Sequence, residues 1–131
     1  MNKVFISYSS KDTAYAAQLE RLLHNTSVHG FLDQSDIAAG AGLSLIRDEI
    51  NSASALLVLL SDDAVKSNWV LFEIGLAQSL GKTIIPILLP TTDLDKSALD
   101  WVKGYHVIDA RNRSIPEIAE EIDSALELQP A

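Results

Sequence analysis

The chain has 131 residues, ten Lys and Arg against eighteen Asp and Glu, a formal charge of −8 and no cysteine. That length fits a single domain over 1–131, and the missing cysteine excludes disulfides, zinc-thiolate centres and thiol catalysis and fits a reducing compartment. The acidic balance argues against nucleic acid and anionic membrane as partners, since both need basic patches. No apolar run nears the ~18 residues of a membrane span, and no signal-peptide pattern opens the chain, so a cytoplasmic location is expected.

Lys3 to Tyr8 (KVFISY) predicts a short apolar strand, broken by Ser9-Ser10-Lys11-Asp12, which offers helix-capping side chains. Tyr15, Leu19, Leu22 and Leu23 mark a helical face, and Val28 to Leu32 a second strand. A polar loop with glycines, Asp33 to Gly42, leads to a helix striped by Leu43, Ile46, Ile50 and Ala53. Ala55 to Leu60 (ALLVLL) is apolar on both faces, as central parallel strands are, and Ser61 is its exit and the next cap. The following helix carries a predicted buried stripe of Val65, Trp69, Phe72, Leu76 and Leu80, with Gly81 as C-cap. Thr83 to Leu89 is a fourth strand, whose Pro86 calls for an edge-ward position or a bulge. Leu94 to Val102 suits a short irregular helix, Tyr105 to Asp109 a weaker fifth strand, and Ser114-Ile115-Pro116-Glu117 a capping box opening a last helix along Ile115, Ile118, Ile122 and Leu126.

Five strands alternating with helices predict an α/β fold: a flavodoxin-like three-layer sandwich with a parallel sheet in the order 2-1-3-4-5. Such sheets bind ligands beyond the carboxyl ends of the strands, where the order reverses between the first and third. Ser7, Tyr8, Ser9, Ser10 and Ser61 fall there, beside the loop from Asp33. Glu73 borders the same crevice on the helix after the third strand, one turn from Trp69. On the edge of an apolar stripe, a carboxylate is costly unless bound. Two readings stand for it: a stem that packs with its head in water, or a catalytic acid beside an aromatic platform. Its place at the switch point favours the second.

Several patterns lead elsewhere. Gly40-Ala41-Gly42 begins like a dinucleotide fingerprint but lacks the third glycine and follows the wrong strand. A phospho-receiver needs an acidic pair after the first strand and a lysine after the fifth; Ser9-Ser10 and Asp109-Ala110-Arg111 stand there. Ser61 lies in no nucleophile elbow. His24, His29 and His106 are scattered without a partner set, so no metal site is expected.

Val4 to Asp12 (VFISYSSKD) resembles the first box of Toll/interleukin-1 receptor (TIR) domains. Phe31-Leu32-Asp33, followed by Gly40, resembles the second box and its loop, Ser67-Asn68-Trp69 through Glu73 the WxxxE segment of TIR domains that cleave NAD+, and Gly81 to Ile87 the family's fourth strand with its proline. The likeness spans Lys3 to Leu128, and it is the order and spacing of the four motifs that carry it. The second-box loop lacks the proline of animal scaffold members, which together with Glu73 resembles the bacterial and plant enzymes. Ser9-Ser10 and Gly42 depart from the basic and aromatic residues that some enzymatic members place there.

The resemblance implies an NAD+ glycohydrolase or cyclase, in a defence or signalling system, activated by self-association through TIR–TIR contacts. NAD+ is then the substrate, and no cofactor is required. Glu73 is the implied catalytic residue. Ser7, Tyr8, Ser9, Asp33, Ser67 and Trp69 are implied to line the substrate site, and Gly40 to give its loop backbone freedom. For Tyr8 the alternative is a core position, for Trp69 likewise, for Asp33 a turn and for Ser67 a cap. Two other functions stay open: a non-enzymatic adaptor acting by homotypic contacts, and a nucleoside hydrolase or deoxyribosyltransferase. The chain is also readable as one module of a longer protein.

Overall fold

Short apolar runs fold as strands and the longer periodic ones as helices. The computed structural model describes residues 2–32, 43–90, 92 and 104–127. The strands are β1 (Asn2–Ser7), β2 (Val28–Leu32), β3 (Ala55–Leu60), β4 (Thr83–Leu88) and β5 (Ile108–Asp109). The helices are α1 (Thr13–Leu23), α2 (Leu43–Ser52), α3 (Asn68–Ser79) and α4 (Ile115–Glu127). The five strands form one sheet in the order β2-β1-β3-β4-β5, every pair parallel. This is the predicted architecture. The predicted loop with Asp33 and Gly40 and the predicted helix Leu94 to Val102 lie outside the described residues.

Alternation along each strand sends side chains to two separate cores. Val4, Ile6, Leu57, Leu59, Ile85 and Ile87 meet α1 and α4 through Ala16, Leu19, Leu23, Ile118 and Ile122. Phe5, Leu56, Val58, Leu60, Ile84 and Leu88 meet α2 and α3 through Ile46, Ile50, Val70, Ile74 and Ala77. All six residues of β3 are buried, as expected of a strand covered on both faces.

Local chemistry sets the helix ends. At the start of α4 the capping box forms: Ser114 Oγ accepts from the Glu117 amide at 3.4 Å, and Glu117 Oε1 accepts from the Ser114 amide at 3.4 Å. At the end of α3, Gly81 takes φ +68°, the Gly81 amide donates to Gln78 O and the Lys82 amide to Ala77 O, which is a Schellman closure.

Pro86 is neither at an edge nor at a bulge. β4 is an inner strand, and its register against β3 runs unbroken from Ala55↔Thr83 to Leu60↔Leu88. The Leu89 amide donates toward β3 and the Leu88 carbonyl accepts from Ala110 on the β5 side, so by alternation the Pro86 nitrogen also faces the β5 side. β5 pairs only with Ile87 and Leu88. The absent N–H therefore falls ahead of the first β5 residue, and no ladder bond is lost. β5 itself is shorter than the expected Tyr105 to Asp109; Tyr105 instead accepts a hydrogen bond from Gln78 Nε2 at 2.8 Å.

Candidate functional site

β1 is followed by α1 on one face of the sheet and β3 by α3 on the other, so the chain parts between their carboxyl ends. β1 and β3 pair only as far as Ser7↔Val58, while β3 continues beside β4 to Leu60. The candidate site is this divergence.

Ser7, the last residue of β1, is fully buried. Its hydroxyl donates to Glu73 Oε1 at 2.6 Å across 66 residues of sequence. Glu73 has no exposed surface and is one of four buried residues of α3, with Val70, Ile74 and Ala77. It lies at the centre of the buried face, not on its edge. The predicted stripe is off by one position: Trp69 is 37% exposed, Phe72 39% and Leu71 48%, and Val65, Leu76 and Leu80 are only partly buried. Nearly every position from Trp69 to Leu76 is apolar, so periodicity alone does not choose the phase. Packing puts Val70, Ile74 and small Ala77 against the sheet and turns the large rings outward. Trp69 is therefore not a core residue; its ring lies 5.7 Å from that of Phe72, on the outer side of the helix.

The remaining predicted residues divide. Tyr8 is fully buried among the residues that meet α1 and α4, on the opposite face of the sheet from Glu73. Ser9 is buried and caps the 3-10 turn Ser10–Asp12, accepting from the Lys11 amide at 3.3 Å. Ser67 caps α3, accepting from the Val70 amide at 3.2 Å. Asp33 and Gly40 lie outside the described residues. Of the predicted set, the structure joins Ser7 to Glu73 directly, and Ser9 and Ser67 anchor the turns on either side.

Two polar links had no counterpart in the sequence reading. Ser61 Oγ donates to Asp12 Oδ2 at 2.5 Å and accepts from the Ala64 amide at 3.1 Å. Partial burial, with a contribution from the Asp63 carboxylate, holds the Asp12 carboxyl above the usual carboxylate range, against the lowering effect of the Ser61 hydrogen bond. Buried Thr92 donates to Leu60 O at 2.7 Å, tying the chain beyond β4 to the end of β3. Asp12 and Ser61 each had the sequence signature of a cap; the signal that joins them is the β1–β3 pairing, which brings the segments after both strands together.

Among the described residues no group of three or more His, Cys, Asp or Glu is arranged to hold a metal ion. Two of the scattered histidines do meet: the His24 and His29 rings lie edge to face at 5.3 Å, and His24 Nε2 is 2.5 Å from Glu20 Oε1. This cluster involves the far end of α1 and lies outside the crevice. No helix among the described residues is long and apolar enough to cross a membrane.

Similarity to known proteins follows this geometry. No curated protein sequence matches the chain. The TIR domain of the Toll-related receptor TRR-2 from Hydra magnipapillata superposes with a TM-score of 0.76 at 19% identity, covering 95% of this chain and 97% of that one. The TIR domains of the activated Roq1 resistosome, which recognises the pathogen effector XopQ, give 0.61 at 18%, covering 95% and 72%. The CMP N-glycosidase BcmB of Clostridium botulinum gives 0.60 at 18%, covering 93% and 99%. At these identities the likeness is one of fold. A family profile described as TIR domain matches residues 4–127. With the sheet order and that match together, the chain belongs to the TIR domain family.

Proposed function

We propose that this TIR domain cleaves the bond between nicotinamide and ribose in NAD+, with Glu73 as the catalytic residue. The observation that carries the reading is the Glu73 carboxylate, buried on α3 and hydrogen-bonded by Ser7 at the end of β1, where ligands of such sheets bind. In the reaction the ring nitrogen of attached nicotinamide is already cationic, so the base leaves neutral and no general acid is needed. Positive charge then grows on the ribose, as in glycoside hydrolysis. A carboxylate fixed beforehand against that carbon stabilises the charge without reorganising at the moment of reaction. Water, a second group on the same molecule or another acceptor then forms the new bond to carbon, giving ADP-ribose, a cyclic isomer or a conjugate. Similarity to a CMP N-glycosidase supports the broader class, cleavage between ribose and base. Self-association through TIR–TIR contacts belongs to the same proposal.

One observation favours a second reading. Glu73 has no exposed surface, and Ser7 already engages Oε1. In that reading the pair is a structural tie between α3 and β1 in a non-enzymatic scaffold. Chromatography of concentrated protein incubated with NAD+, NADP+, CMP and free nucleosides separates the two. Release of nicotinamide is expected, falling by at least about a hundredfold in Glu73→Gln with unchanged circular dichroism. No base released from any substrate at any concentration establishes the scaffold instead, and equal turnover by the variant removes Glu73 from the chemistry.

A further inference from the structure

Two hydrogen bonds hold the neighbouring ends of β1 and β3, one on each face of the sheet. Ser7–Glu73 joins the end of β1 to α3, which packs on one face of the sheet. Asp12–Ser61 joins the residue that opens α1, packed on the other face, to the exit of β3. Backbone pairing between β1 and β3 stops at Ser7↔Val58, so the second bond spans a gap that the sheet no longer closes. It also reaches into the connection leading to α3. The hydroxyl that donates to Asp12 accepts from the Ala64 amide and so opens the 3-10 turn Ala64–Lys66; Ser67 then caps α3, six residues before Glu73. A weaker second link, Lys11 Nζ to Asp63 Oδ1 at 3.8 Å, joins the same two turns in solvent.

We infer that Asp12 is a positioning residue for Glu73: its bond to Ser61 fixes the β3–α3 connection against the turn after β1, and so sets the start of α3 and the carboxylate it carries. The catalytic meaning of this rests on the function proposed above; the positional meaning does not. Asp12→Ala removes the acceptor, whereas Asp12→Asn keeps an oxygen for Ser61 and removes only the charge. Two readouts report position without turnover: amide hydrogen exchange at Val70, whose N–H is held by Ser67, and the carboxyl carbon resonance of Glu73. In Asp12→Ala, exchange at Val70 speeds about five- to tenfold, the factor carried by one lost hydrogen bond, and the Glu73 resonance shifts; Asp12→Asn stays close to wild type in both. With NAD+ as substrate, kcat falls about tenfold or more in Asp12→Ala while KM holds, as for a displaced but intact catalytic group, and Asp12→Asn restores it. Should Asp12→Ala not fold, Asp12→Leu, closer in size and without an acceptor, removes the same bond while leaving the Ser61 cap on Ala64 intact, and is read the same way. Unchanged exchange and resonance in the variant lacking the bond overturn the inference, as does an Asp12→Asn protein that behaves like Asp12→Ala. A wild type that releases no nicotinamide overturns the catalytic proposal alone, because the exchange and resonance measurements still decide the positional one.

Discussion

Glu73 is a carboxylate with no exposed surface among aliphatic side chains, so the group that hydrogen-bonds it carries much of the local energetics. Removing that donor leaves a buried acceptor less satisfied and costs the desolvation that the bond had offset. Ser7→Ala is expected to destabilise the fold by about 1–3 kcal/mol, read from the midpoint of chemical denaturation. Adding Glu73→Leu to Ser7→Ala recovers part of that loss, because no buried carboxyl then remains to be satisfied. A Ser7→Ala protein as stable as wild type dissociates the pair. Glu73 stood out in sequence as a lone charge inside WVLFEIGLA, but that its head is buried and not in water was not legible, because the phase of the helix was open. Ser7 was legible only by way of topology, as a polar residue closing the first strand. The Asp12–Ser61 bond was not legible, because serine and aspartate just after a strand are common caps whether or not they meet across a sheet.

Elements were legible wherever one period excluded the others. The runs that became β1, β3 and β4 agree with their predicted spans within a residue, and α4 buries Ile118, Ile122 and Leu126 as its spacing demands. The phase of α3 was not legible, because apolar residues surround it on every side and only contact with the sheet selects Val70, Ile74 and Ala77. Pro86 was misjudged for another reason: a strand's pairing on each side ends independently, and the length of β5 is not written in β4. Two glycines show how the same residue type answers to different elements. A Cβ on Gly30 of β2 meets Ile6 Cδ1 at 3.0 Å and Glu20 Cγ at 3.3 Å, so the glycine lets α1 lie close to the strand. A Cβ on Gly75, within α3, meets nothing within 4 Å. Gly30→Ala is expected to destabilise by about 1–3 kcal/mol through overpacking, and Gly75→Ala to stabilise by about 0.8–1 kcal/mol through helix propensity. Thermal melts of the two variants check the opposite signs, and a shift in the same direction contradicts the packing described for one of them.

At the scale of the whole molecule, charge opposes assembly. Each copy carries a formal −8, and acidic residues crowd α4, where Glu117, Glu120, Glu121, Asp123 and Glu127 stand on one helix. Arg113 offsets part of this by pairing with Glu121 at 2.7 Å and Glu117 at 3.7 Å, but the molecule as a whole repels its like. If the proposed chemistry needs a neighbouring subunit, the encounter of two such copies limits it, and that encounter weakens with falling concentration and with falling ionic strength. Salt at physiological strength shortens the reach of charge to about 8 Å. Turnover per molecule is therefore expected to rise with protein concentration, and at a fixed subsaturating concentration to rise with salt. Nicotinamide release measured across a wide range of each variable, alongside sedimentation of the same samples, provides the check. A flat dependence on concentration identifies a self-sufficient monomer. A rise with concentration combined with a fall in salt means that association is driven by complementary charged patches, which prevail locally over the net repulsion.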